Sequence, residues 1–271
     1  SVKLVGENRV LVRWGLEVLR RSRRPGLQAL AERIGMSLAD VTADAVVFRL
    51  VPRLNAAGRL RHANLALELL RTADVSTARR LASELDIVNE ERRLLTEEIV
   101  ASVRRALGEP FPSVIVASGP WPVGLLGVLA GRLAEEYQRP AVAIAVREDE
   151  CVASIRGFRN GSEKDPNTNM VDLVGEMEGL LTKFGGHAGA AGFSFQRAAL
   201  DAVEDFFRSH APVTSNGSQP ELFLDCPLPL SLVYPWTAIG TPALCMHSPN
   251  LLHQPPVGLL MATGRSLAPG I

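Results

Sequence analysis

Cysteine is scarce, with three in 271 residues. They are scattered and show no short metal-type spacing, which argues against a disulfide framework and a zinc site and makes a reducing compartment, the cytoplasm, the expectation. Long hydrophobic runs are missing too. No apolar stretch reaches the roughly 18 residues of a membrane span, and no charged segment precedes an apolar one as in a signal peptide, so no membrane partner is expected. The chain opens on Ser1 without a methionine and runs at once into patterned sequence, so a piece of something longer is expected. Hydrophobic residues at 46% and charged ones at 21% give enough of each for a soluble folded protein with a real core.

Net charge is absent only in the sum. Residues 1–108 hold 19 Lys and Arg against 13 Asp and Glu, and the remainder holds 10 against 16. Eighteen of the 19 bases in the first part are arginine. Its planar fork suits phosphate, so a polyanionic partner fits this half. Ordinary solvated helix faces fit it as well.

The pattern along the chain predicts an α/β protein in three stretches. Residues 1–107 read as a helical linker region. Val10, Trp14, Leu16 and Val18 fall within reach of one helix face. Pro25 suits a first turn and Gly35 a helix end, while Ser37 with Asp40 resembles a helix start. Leu81, Leu85, Val88, Leu95, Ile99 and Val103 recur at helical spacing, predicting one long connecting helix over 76–107. The segment GEPFPS (108–113) breaks it and marks the boundary of a compact mixed α/β domain, 113–210. There SVIVA, PAVAIAV, CVASIR and AGFSF read as strands, and GLLGVLAGRLAEEY, MVDLVGEMEGLLTKF and RAALDAVEDFFRSH as helices. NGSEKDPNTN (160–169) reads as a loop or an insertion. Residues 211–271 are a linker and an irregular tail, and 226–271 hold eight prolines but one charged side chain, Arg265. That fits neither a folded surface nor a polar disordered tail. A rearranged or out-of-frame C-terminus is one explanation, which the other reading frames of the encoding DNA would settle.

Four segments carry candidate chemistry. In KFGGHAGAAGFSF (183–195), Gly185 and Gly186 can adopt positive φ and present N–H groups as an anion nest, with His187 beside them. A glycine helix cap before a tightly packed strand, with an incidental histidine, explains the same letters. In CVASIRGFR, strand alternation puts Ser154 and Arg156 together on one face as a phosphate clamp, or leaves Arg156 as a solvated strand end. ASGPWPVGLLGVLAG offers a helix N-terminus behind a turn, although Gly124, Gly127 and Gly131 also suit close helix packing. No Gly-Lys-Ser/Thr follows, so it is not a P-loop. LVPRLNAAGRL reads as a polar loop within helical sequence, with Asn55 tying its own backbone and Arg53 and Arg59 facing outward, or as a capped turn between helices.

In this order the four segments resemble the RecJ family of single-strand-specific exonucleases, within the DHH phosphoesterase superfamily. PRLNAAGRL looks like that family's signature loop, and WPVGLLGVLAGRLAEEYQRPAVAI like the opening of its DHHA1 domain. SIRGF looks like its arginine-bearing strand, and GGHAGAAGF like its glycine–histidine motif. The likeness covers about residues 1–210. It implies that Asn55, Arg59, Ser154, Arg156, Gly185, Gly186 and His187 hold substrate phosphate, with Arg53, Trp121 and Gly124 as secondary candidates. The family cleaves phosphodiesters with manganese or magnesium bound by a separate DHH domain. No Asp-His-His occurs here, and His62, His187, His210, His247 and His253 are dispersed. No catalytic or metal-ligating residue is therefore assigned, and no metal is expected on this chain. Pro122 replaces the family's usual histidine, the loop bearing Arg159 looks long, and the family's C-terminal nucleic-acid-binding barrel is not recognisable.

The resemblance implies the substrate-binding half of a 5′→3′ exonuclease that binds single-stranded DNA without cleaving it, its partner being the missing DHH domain. Two other readings stay open: a phosphoesterase of short oligonucleotides or cyclic dinucleotides, and a non-catalytic nucleic-acid or replication scaffold. The region over 1–107 weighs against the former, whose domains usually join by a short linker. Protein partners and oligomeric state are not legible.

Overall fold

In the computed structural model, residues 4–108, 111–158 and 169–209 are described. All fall within one compact unit, Ser1–Ser218. The expected loop over 160–169 lies almost wholly outside them, as do Arg159 and the proline-rich tail.

The first part is helical: α1 Glu7–Arg20, α2 Pro25–Arg33, α3 Ala43–Ala45, α4 Val51–Leu60, α5 Asn64–Arg71 and α6 Val75–Ala106. Pro25 opens α2 and Gly35 closes it at φ 62°. The Met36 N–H donates to Ala31 O at 2.9 Å and the Gly35 N–H to Glu32 O at 3.0 Å, a pair of bonds that needs a left-handed residue at 35. Ser37 caps only a three-residue 3-10 turn, Leu38–Asp40. The expected apolar face of α1 is largely uncovered: Val10 is 55% exposed, Trp14 61% and Val18 71%, while Leu16 alone packs inward.

The NAAGR segment is α4, a helix and not a loop. α3 runs through a π-helical turn, Val46–Leu50, straight into it. Pro52 stands directly after the π-helical turn, in the first turn of α4. Leu54, Ala57 and Leu60 recur at helical spacing and pack inward. That period outweighs the turn preference of Asn and Pro.

The 32 residues of α6 form the spine. Its first half buries Ala78, Leu81, Ala82 and Leu85 against α2, α4 and α5, and its second half buries Ile99, Val100 and Val103 against the α/β part.

That part is a five-stranded sheet: β1 Ile115–Gly119, β2 Ala141–Val146, β3 Glu150–Arg156, β4 Leu181–His187 and β5 Ala190–Gln196, ordered β1-β2-β3-β5-β4. β1 and β2 are parallel and the other neighbours antiparallel. α7, Leu126–Tyr137, crosses from β1 to β2 and packs with the end of α6 on one face of the sheet. α8, Met170–Gly175, and α9, Leu200–Ser209, cover the other through Met170, Val174, Val203 and Phe207. β2 is covered on both faces, hence its continuous apolar run. The helix expected over MVDLVGEMEGLLTKF stops at Gly175. A 3-10 turn, Glu178–Leu180, follows, and from Leu181 the chain pairs with β5 as a strand. Pairing with β5 decides its state, which a helical spacing within one segment could not reveal.

A candidate phosphate-binding face

Cys151, Ala153 and Ile155 of β3 point into the α8/α9 core, each at most 2% exposed. Strand alternation sends Ser154 and Arg156 to the opposite face. α7 lies over them there, and a Cβ on Gly127 would stand 3.2 Å from Arg156 Nη2 and 3.7 Å from Ser154 Oγ. The Arg156 Nε is buried and has no hydrogen-bond partner among the described residues. A guanidinium so held is a preformed donor waiting for an acceptor.

The register extends this face across the sheet. Arg156 pairs with Ala190, which pairs with His187; Ser154 pairs with Gly192, which pairs with Gly185. Residues directly opposite share a face, so His187 and Arg156 stand in one row on the same side, two strands apart. In the adjoining row the two positions beyond Ser154 are glycines. A Cβ at Gly185 would meet nothing within 4 Å, and one at Gly192 only Ala153 O at 3.8 Å. Both are exposed. The result is a trough with a backbone floor, a serine and an arginine along one side and a histidine at its end. His187 Nδ1 accepts from the Gly189 N–H at 3.2 Å, so the proton of the neutral ring sits on Nε2, where it can be donated.

The expected anion nest does not form. Gly185 and Gly186 lie in β4, and neither has the left-handed φ that such a nest requires. Gly186 is glycine for packing: a Cβ there would meet Ala190 O and lie 2.6 Å from Ala191 Cα.

The other candidates fall elsewhere. The Asn55 side chain is exposed on α4 and makes no hydrogen bond among the described residues, so it ties no loop. Arg53 does not face outward: its Nε donates to Asp86 Oδ1 at 2.8 Å, and Arg33 Nε to Asp86 Oδ2 at 2.9 Å. Burial pushes the Asp86 carboxyl up, but hydrogen bonds and charge from Arg53 and Arg33 outweigh it and hold the group below its ordinary value. Arg59 Nη1 donates to Gly124 O at 3.0 Å, and a Cβ on Gly124 would lie 2.7 Å from Arg59 Cα. Gly124 thus packs the 3-10 turn Val123–Leu125, which leads into α7, closely against α4. Trp121 folds back over Gly119, with ring atoms 2.6 to 2.9 Å from where a Cβ would stand, and adds to the core. Gly127 and Gly192 shape the face but were not singled out as site residues; period-two alternation carried into the strand pairing would have found Gly192.

Residues 112–209 match the model of the DHHA1 domain, so the α/β part of this chain is a DHHA1 domain. About three quarters of the chain is similar to RecJ proteins. The chain is 34% identical over 220 residues to the single-stranded-DNA-specific exonuclease RecJ of Bacillus subtilis (strain 168), with 75% of this chain and 27% of the relative covered. To the RecJ of Escherichia coli K12 it is 32% identical over 220 residues, covering 76% and 37%. A crystal structure of RecJ with Mn2+ from Thermus thermophilus superposes with a TM-score of 0.73 at 30% identity, covering 94% of this chain and 36% of that one. Its Mg2+ counterpart gives 0.71 at 32%, covering 84% and 35%. The chain thus spans about a third of the length of these proteins. Among the described residues no three His, Cys, Asp or Glu side chains gather as a ligand set. No described helix is long and apolar enough to cross a membrane.

Proposed function

We propose that this chain is the substrate-holding half of a RecJ-like 5′→3′ exonuclease of the cytoplasm, gripping single-stranded DNA by its phosphates without hydrolysing it. The observation that supports this reading is the one face of the sheet on which Arg156, Ser154 and His187 stand in register beside the exposed Gly185 and Gly192. Arg156 and Ser154 donate to phosphate oxygens and His187 Nε2 adds a third donor, while the glycine floor admits the sugar–phosphate backbone where side chains would exclude it. Hydrolysis with manganese or magnesium is assigned to a DHH domain of the parent protein, the structural partner of this half. A linear 5′-phosphorylated strand incubated with this chain and Mn2+ tests the division of labour. The strand is expected to be bound and to keep its length on a denaturing gel; robust shortening by the purified chain would overturn the reading.

A further inference from the structure

Several arginines of the helical part face a carboxylate: Arg33 pairs with Asp86 at 2.9 Å, Arg61 with Glu91 at 3.0 Å and Arg93 with Glu90 at 2.9 Å. Arg23, Arg24 and Arg71 are exposed and have no carboxylate at ion-pair distance among the described residues. All three line one cleft of about 390 Å³, where the turn between α1 and α2 meets the turn between α5 and α6. Pro25, Leu70 and Thr72 complete its walls.

The two walls are locked together. Gly26 is buried, and a Cβ there would run into the Leu69 carbonyl, so glycine lets the first turn of α2 lie flush on the last turn of α5. Arg24 Nη1 reaches across to donate to Leu70 O at 3.4 Å, and the Thr72 N–H donates to Glu68 O at 2.9 Å. These bonds occupy carbonyl acceptors at the end of α5. The N-terminus of α2 has no side-chain cap, so the positive end of its dipole adds to the guanidiniums. Asp74, three residues after Arg71, caps α6 instead, accepting from the Thr77 N–H and the Ser76 hydroxyl, both at 2.7 Å. The cleft also stands well apart from Arg156. It lies at the head of α6, and from Val75 to Ile99, where α6 packs on the α/β part, the helix runs about 36 Å at about 1.5 Å per residue.

The geometry points to this cleft as a binding site for a polyphosphate anion, inorganic pyrophosphate or the phosphate chain of a nucleoside triphosphate, separate from the strand-holding face. Three permanently charged forks match an anion that carries several negative charges. The volume is that of a small-ligand cleft, and Pro25 and Leu70 offer an apolar wall to a nucleoside.

The test is calorimetric titration of sodium pyrophosphate at low salt into the full chain, first saturated with a 5′-phosphorylated strand of about twelve thymidines so that the strand-holding face is filled. A single pyrophosphate is expected to bind, with inorganic phosphate roughly ten-fold weaker because it meets fewer of the three cations. Adenosine triphosphate binding more tightly than pyrophosphate assigns a nucleotide to the cleft; equal affinity assigns the phosphate chain. Arg23→Gln and Arg71→Gln should each weaken pyrophosphate roughly three- to ten-fold, and the double variant should lose it, with strand affinity and circular dichroism spectrum unchanged. Both side chains are exposed and unpaired, so their loss removes no packing; should the double variant fail to fold, the single ones carry the test. No pyrophosphate binding by the saturated chain, or equal binding in the double variant, overturns the site. So does a strand that pyrophosphate displaces and the double variant binds more weakly, which would make the cleft part of the strand's path. If the parent binds no strand, the holding role falls, and the same titrations of the free chain decide the cleft by themselves.

Discussion

A valine at position 185 would meet open space, whereas one at 186 would run into the Ala190 carbonyl and Ala191 of the neighbouring strand. Gly185→Val should therefore fold as well as the parent, since a β-branched residue suits a strand, yet weaken single-strand binding by filling the trough. Gly186→Val should destabilise the domain by about 1–3 kcal/mol through overpacking. Urea denaturation paired with strand binding separates the two, and the opposite assignment would remove the trough from the account. Sequence alone pointed to both glycines but gave them one shared reason, a left-handed nest. Telling them apart needs the register of β4 against β5, which no local pattern carries.

At the scale of elements, α6 was read almost whole, because five of its six quoted apolar positions are buried and a 32-residue period is a strong signal. Its cap is equally local. Asp74 accepts from the Thr77 N–H and the Ser76 hydroxyl, both at 2.7 Å. Those bonds, the one to the Ser76 side chain foremost, lower its pKa from 3.8 to about 2. A carboxyl depressed in the folded state stabilises the protein fully above the unfolded value, and that contribution fades as pH falls through the folded one. Asp74→Ala should therefore lower the melting temperature at pH 6 and flatten the stability profile between about pH 4 and pH 2, as thermal unfolding across that range would show. Asp86 joins α2 and α4 to the same spine through Arg33 and Arg53. Asp86→Ala leaves two cations unpaired and should cost about 2 kcal/mol in chemical denaturation. Where sequence reading failed, at α4 and at β4, tertiary contacts overruled local preference. Buried Ala56 and Ala57 hold Asn55 in a helix, and β5 draws Leu181–His187 into the sheet.

The whole molecule divides its charge as its fold divides its parts: an arginine-rich helical half, joined by α6 and α7 to an α/β half whose open face carries Arg156. The likeness to RecJ spans about three quarters of the chain and a third of its relatives' length, and the holding role proposed for this polypeptide builds on it. Binding should then be electrostatic and steeply salt-dependent, with no preference among base sequences, since the donors face backbone phosphate. The most direct measurement is the dissociation constant for a 5′-phosphorylated single strand at low salt, compared between the parent chain and Arg156→Gln. A roughly ten-fold or greater loss with an unchanged circular dichroism spectrum is predicted from removal of a charged contact. Equal affinity in the two proteins would contradict the claim that this face holds the strand.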